Sequence, residues 1–412
     1  MRKAARNNTR PRVTVATRIF WPEPGAASAR LEGLVKELVQ RRASVRVLTT
    51  TPPKSARWTK AVFHGCQTSP RVLRWPALRD RSGYIRGYLH YLSFDVPLFF
   101  RLLLGPKPDV VLVEPPPTTG AVARAACALR RVPYVWYAAD VWSAALASAG
   151  GNAFVVRALR ALERFAVGGA TCVIAVSPGV ASRVENLGAS SVHVVPNGID
   201  TDMYSSETAP LTEGELRDLG IAAPYFLYAG TASEWQGASI FAAAAKDPVL
   251  LEQDFQLVFL GQGTQWSEIA EIGAEVAAQR GNDTVLQLTQ RSPREVAQLL
   301  AGAEAALVSL APENGYSFAY PTKVLAALSV GTPVLYAGEG SAGHDVERLG
   351  AGVCVPYQAR AVARAIEGFL QEQPAKVSRG RGRKWVETER SSAVSAGRVA
   401  DLLLGGRLTA DR

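Results

Sequence analysis

Apolar positions along this chain follow two rhythms that alternate over most of its length. In VTVATRIFWPEPGAASARLEGLVKELVQRRASVRVLTT, Val13, Val15 and Ile19 lie in an apolar run that Pro22-Glu23-Pro24-Gly25 breaks. Leu31, Leu34, Val35, Leu38 and Val39 then recur at helical spacing, and Val45, Val47 and Leu48 open the next run. The pattern predicts strand, loop, helix, strand. Further strand-like runs follow at Asp109–Val113, Tyr134–Tyr137, Cys172–Val176 and Val192–Val195. Beyond the turn cluster Pro196-Asn197-Gly198-Ile199-Asp200 the rhythm restarts at Tyr225–Tyr228, Leu257–Leu260, Val285–Leu288, Ala305–Leu310 and Val334–Tyr336. Strands alternating with helices predict parallel sheets covered on both faces, and two such series predict two doubly wound domains.

In folds of this kind, ligands gather at the carboxyl ends of strands. Gly25, Asp140, Gly230, Gly261 and the loop over 312–323 all fall there. The richest segment is PTKVLAALSVGTP, residues 321–333: a loop ending at Lys323, a short apolar helix, then Gly331-Thr332-Pro333. Pro321 and Thr322 suit a helix start, Thr as an acceptor for a free N–H. A lysine in a first turn opposes the helix dipole unless an anion such as a diphosphate sits there. The competing reading is a lysine that lays its stem on the surface and keeps its charge in water. Gly25, Ala26, Ala27 and Ser28 likewise open a helix with small residues that let a phosphate approach the backbone, although a simple turn explains the glycine equally well. The Gly25 turn is not a dinucleotide fingerprint, since it lacks GxGxxG, and no GxxxxGK[ST] phosphate loop occurs.

A chain of 412 residues with 48% hydrophobic content can bury two cores. It has no run of 18 apolar residues, and its basic start leads into a strand with no signal-peptide core, so a cytoplasmic protein is expected. Cys66, Cys127, Cys172 and Cys354 are scattered and read as reduced, structural thiols. The net charge of +10 hides an asymmetry: residues 1–200 carry +17 and residues 201–412 carry −7. The basic half suits nucleic acid, an anionic membrane surface or an anionic acceptor, and the lack of any helix-turn-helix, zinc-finger or RNA-recognition signature argues against nucleic acid. Tyr84–Gly105 mixes aromatic and aliphatic residues with arginines. It reads either as an interfacial helix pair, peripheral on a membrane, or as a helix packed on the sheet with a break at Pro97. The four histidines form no HxxxH pattern or other metal-ligating constellation, so no metal is expected. His344-Asp345 reads as a catalytic pair or, with better support, as part of a helix cap.

The segments WPEPGAASARLEGLVKELVQRR, PYVWYAADVWSAALASAG, VSPGVASRV, VVPNGIDTDMY, YAGTASEWQGA, FLGQG and PTKVLAALSVGTPVLYAG, in this order, resemble the GT-B glycosyltransferases of family 4. The resemblance implies two Rossmann-like α/β domains facing a cleft. Residues 1–200 form the acceptor side, joined by a returning helix over 385–412, and residues 201–384 bind the donor. It implies a retaining enzyme moving a sugar from a nucleotide-diphosphate sugar to a hydroxyl of a membrane-associated or cell-envelope acceptor, without a metal or other cofactor. In that picture Lys323 neutralises the diphosphate, with Gly25, Ala26, Gly230, Thr231, Gln236, Glu313, Tyr320, Pro321 and Thr322 around the donor. Arg291 stands near the base, and Asp140 serves catalysis or the acceptor. The competing role for Asp140 is an N-cap.

Two departures stand out. The family's paired glutamates, the second three residues after the lysine, are replaced by Phe318 and Ala326, and Gln236 is neutral where many relatives carry lysine. A carboxylate holding ribose hydroxyls contributes ~1.5–3 kcal/mol per charged bond. A catalytically silent, nucleotide-sugar or glycan-binding accessory subunit is therefore the alternative to an enzyme. An epimerase or hydrolase on the same fold would need an acid–base carboxylate set that is not assembled here.

Overall fold

The computed structural model describes residues 10–405 apart from Pro24, Arg86, Ala149, Ala223 and the stretches 54–68, 81–84, 313–318 and 372–378. The chain forms two compact units: residues 1–197 with 392–412, and Gly198–Ser391. Each is a parallel sheet with helices on both faces.

The first sheet contains β1 (Arg12–Ala16), β2 (Ser44–Thr50), β3 (Arg71–Trp75), β4 (Val110–Val113), β5 (Tyr134–Ala138), β6 (Cys172–Ala175) and β7 (Val192–Val194), in the order β3-β2-β1-β4-β5-β6-β7. The central strands β4, β5 and β6 are buried at every position, which is why they read as unbroken apolar runs. On one face, Val13, Val15, Val45, Val47 and Leu112 pack with Leu31, Leu34 and Leu38 of the helix Ala26–Gln40. The helix Ser392–Leu404 closes that layer with Val399, Ala400 and Leu403. On the other face the helices Tyr88–Leu104, Pro117–Arg130 and Ala153–Val167 stack in sequence.

Tyr88–Leu104 is one continuous helix with Pro97 inside it, neither a pair nor a broken segment. Proline removes one backbone bond there. Phe94, Leu98 and Leu102 are buried on its inner side, and that packing carries the helix through. Tyr84 and Arg86 lie outside the described residues. No described helix is long and apolar enough to cross a membrane.

The second sheet contains β8 (Tyr225–Thr231), β9 (Gln256–Gln262), β10 (Val285–Leu288), β11 (Ala305–Ser309), β12 (Val334–Ala337) and β13 (Gly352–Val355), in the order β10-β9-β8-β11-β12-β13. Alternate side chains of β8 enter opposite layers, Tyr225 and Leu227 on one side, Phe226 and Tyr228 on the other. This is the two-residue period of a strand buried on both faces. Arg379–Trp385 forms a helix, and its Arg383 bonds Glu387. Trp385 and Val386 pack with the second unit.

In each unit the strand order reverses once, between β1 and β4 and between β8 and β11. The crevice outside the carboxyl ends at such a reversal is where a doubly wound sheet binds ligands.

Candidate functional site

At the reversal in the second unit lies a pocket of about 320 Å³. Gly230 and Thr231, at the carboxyl end of β8, and Gln236 form one wall, and Tyr320, Pro321, Thr322, Lys323 and Ala326 form another. The helix Thr322–Val330 starts at this wall. Pro321 is its N-cap and Thr322 its first residue, so no side chain caps its backbone N–H groups and no acidic residue sits in its first turn. Thr322 is thus not the cap that the sequence suggested. The uncapped end suits an anion.

Lys323 is not a surface lysine. Its Nζ lies 2.8 Å from the Tyr228 hydroxyl, 2.9 Å from Gln236 Oε1 and 3.1 Å from the Thr231 carbonyl. It also sits 4.4 Å from the centre of the Tyr228 ring. All of these partners are neutral. Burial lowers the ammonium pKa to about 7, because a charge removed from water is disfavoured unless an opposite charge meets it. Among the described lining residues Lys323 is the one charged side chain, and none is a carboxylate.

Gly230 makes room for this lysine. Its φ is +126°, and a Cβ there would stand 2.8 Å from Lys323 Cε. Glycine alone tolerates both constraints.

The pocket unites Gly230, Thr231, Gln236, Tyr320, Pro321, Thr322 and Lys323, which the sequence had named from three separate segments. Arg291 does not line it. That guanidinium is half-buried after β10, 3.6 Å from Glu295 Oε1. Glu313 and Phe318 lie outside the described residues, as does Cys66.

Two contributions escaped sequence reasoning. The Tyr228 hydroxyl holds Lys323, although Tyr228 reads as core because its ring is fully buried. Tyr320 donates to Asp345 Oδ2 at 3.1 Å, and the Arg390 guanidinium stacks 4.0 Å from the Tyr320 ring centre. Asp345 lies inside the helix Ser341–Leu349 and also accepts from Arg348, whereas His344 is exposed. The pair forms no helix cap.

In the first unit, Gly25 and Ala26 are exposed at the uncapped start of the helix Ala26–Gln40. One turn on, Arg30 bonds Glu114, which follows β4, and Asn197, and it stacks 4.7 Å from the Tyr137 ring centre. Thr17 donates to the other Glu114 oxygen. This buried ion pair ties the ends of β1, β4 and β5 together.

Asp140 is half-buried after β5, where burial raises its pKa against the Val141 N–H and the Arg183 charge. Its Oδ1 accepts from the Val141 N–H at 2.8 Å. The Trp142 and Ser143 N–H groups bond Glu163, which caps the following helix from a distance of twenty residues in sequence. Asp140 is therefore only part of the cap. No group of three side chains suited to a metal meets among the described residues.

The comparisons agree with this geometry. Residues 25–198 match the glycosyl transferase 4-like domain, and residues 223–372 match the glycosyl transferases group 1 domain. A D-inositol 3-phosphate glycosyltransferase of Corynebacterium aurimucosum is 27% identical over 197 residues, which span 46% of this chain and 45% of that protein. Among solved structures, sucrose-phosphate synthase of Thermosynechococcus elongatus superimposes with a TM-score of 0.73 at 19% identity, covering 95% of this chain and 98% of that one. HepE of Anabaena, in complex with UDP-glucose, does so at 0.64 and 17%, covering 96% and 99%. With both halves matched in order and the fold shared across nearly the whole chain, the protein belongs to the GT-B glycosyltransferases of family 4.

Proposed function

We propose that the protein is a retaining glycosyltransferase that moves a sugar from a nucleotide-diphosphate sugar to a hydroxyl of a membrane-associated or cell-envelope glycan or lipid. The observation that carries this is Lys323: a buried ammonium with neutral partners, beside an uncapped helix end, in a pocket without a described carboxylate. A diphosphate supplies the missing negative charge. As the sugar leaves, charge grows on the diphosphate, and a fixed donor there contributes a few kcal/mol. Anabaena HepE, of similar fold, was solved with UDP-glucose, which makes UDP-sugars the first donors to test.

Gly230 and Thr231 approach the donor from the end of β8, and Gln236 orients Lys323 by its carbonyl oxygen. Asp140 and the Gly25–Ala26 turn serve the acceptor side in this reading, with Asp140 accepting a hydrogen bond from the incoming hydroxyl. Arg291 and Glu313 remain candidates for the base and the sugar. No metal is needed in this scheme, and the enzyme works peripherally at the cytoplasmic face of a membrane.

The second reading, a silent nucleotide-sugar or glycan-binding subunit, is favoured by Ala326. It lines the pocket one turn beyond Lys323 and presents a methyl group where a carboxylate would hold the ribose. The deciding experiment incubates the protein with a UDP-sugar and a lipid-linked acceptor and follows product anomers by NMR. Transfer with retained configuration, undiminished by EDTA and abolished in Lys323→Ala, supports the enzyme. Donor binding with no transfer supports the subunit, and inverted product refutes retention.

A further inference from the structure

The outer side of the helix Tyr88–Leu104 is apolar. Leu89, Leu92, Val96 and Phe100 recur at spacings of three and four, all at least 47% exposed. An exposed stripe of this size on a globular protein marks a contact surface. Beside it, between the helix and the edge strands β2 and β3, lies a groove of about 590 Å³. Leu73, Trp75, Val96, Pro97, Phe100 and Leu104 supply its apolar lining.

Arg46 and Arg101 also line this groove. Arg46 bonds the Pro106 carbonyl and the Thr14 hydroxyl, Arg101 the Leu73 carbonyl, and neighbouring Arg130 the Leu102 and Gly105 carbonyls. Arg46 Nε and Arg101 Nη1 are buried with no hydrogen-bond partner. Burial lowers the pKa of Arg46, and so does the charge of Arg130 and Arg71. Burial lowers that of Arg101, and so does the charge of Arg46. Arg71, Arg101 and Arg130 thus each repel Arg46, and none of the four bonds a carboxylate among the described residues.

We infer that this groove binds an anionic phospholipid of a membrane, one acyl chain lying against Trp75 and Phe100 and the phosphate meeting the Arg46–Arg101 cluster. Apolar surface and uncompensated positive charge, side by side, match the two halves of such a lipid. A second copy of the chain is a poor occupant, because a twofold contact here would set arginines against arginines. The inference extends the membrane part of the proposed function. It is tested without a donor, so its failure leaves the pocket at Lys323 untouched.

The experiment is co-sedimentation of the full chain with phosphatidylglycerol vesicles and with phosphatidylcholine vesicles. Phe100→Asp and Val96→Asp are run alongside, with unchanged melting temperature confirming that these exposed positions still fold. Binding to the anionic vesicles, weaker by roughly tenfold in each variant and weak on neutral ones, is the expected result. Equal binding to both vesicles, or binding that the variants leave unchanged, overturns the inference. So does a dimer in light scattering that Phe100→Asp dissociates, which would assign the face to self-association. So does full competition by inorganic phosphate, which would assign the arginines to a free anion.

Discussion

At Lys323 the decisive quantity is the missing counter-charge. With its pKa lowered to about 7 by burial, the free protein holds a largely neutral amine above that pH. A bound diphosphate raises the pKa again, so binding takes up a proton. The sign follows: UDP-sugar affinity is highest below pH 7 and falls as pH rises through about 7 toward the pKa of the bound state. Calorimetry in buffers of different ionisation enthalpy at pH 8 should show proton uptake, and affinity that is flat from pH 6 to 8.5 would contradict it. Asp140 is tested by Asp140→Asn. Asparagine caps helices as well as aspartate does, so the melting temperature should stay constant while turnover drops. Equal turnover would reduce Asp140 to a capping residue. Two of the site residues show the limits of sequence: Lys323 was legible because its position in a first turn is anomalous, whereas Tyr228 was not, since a buried tyrosine in a strand reads as core.

Among the elements, the strands buried on both faces were legible because their side chains form unbroken apolar runs. The two strands that sequence reasoning passed over, β3 and β13, are both sheet edges. Arg71-Val-Leu-Arg-Trp alternates exposed with half-buried positions, so its charged residues break the apolar signal. Pro97 misled in the opposite direction, because a proline break is a local rule and tertiary packing of Phe94, Leu98 and Leu102 overrides it. The Arg30–Glu114 pair was invisible for a different reason: its members are 84 residues apart in sequence. Arg30→Ala would leave Glu114 buried and unpaired, a loss of about 3–5 kcal/mol in unfolding free energy. Denaturant titration resolves this, and a loss below ~1 kcal/mol would show the pair to be solvated.

For the whole molecule, the division into two units puts the terminal helix Ser392–Leu404 with the first sheet, 190 or more residues after that sheet's last strand. Val399, Ala400 and Leu403 are buried against the layer that Leu31 and Leu34 begin. A chain truncated after Ser391 should melt with a lowered transition for the first unit and an unchanged one for the second. A single transition that shifts as a whole would contradict independent melting. The charges of the two halves, +17 for residues 1–200 and −7 for residues 201–412, place the excess of positive charge in the first half of the chain.

The central claim is that Lys323 and its pocket bind a nucleotide-diphosphate sugar. Thermal shift of the purified protein against UDP-, GDP- and TDP-sugars, with Lys323→Ala alongside, tests it most directly. A ligand at a hundred times its dissociation constant adds ~2.7 kcal/mol of stability. The account predicts a clear rise in melting temperature with one nucleotide, lost in the variant. No rise with any of them, or the same rise in Lys323→Ala, would contradict it.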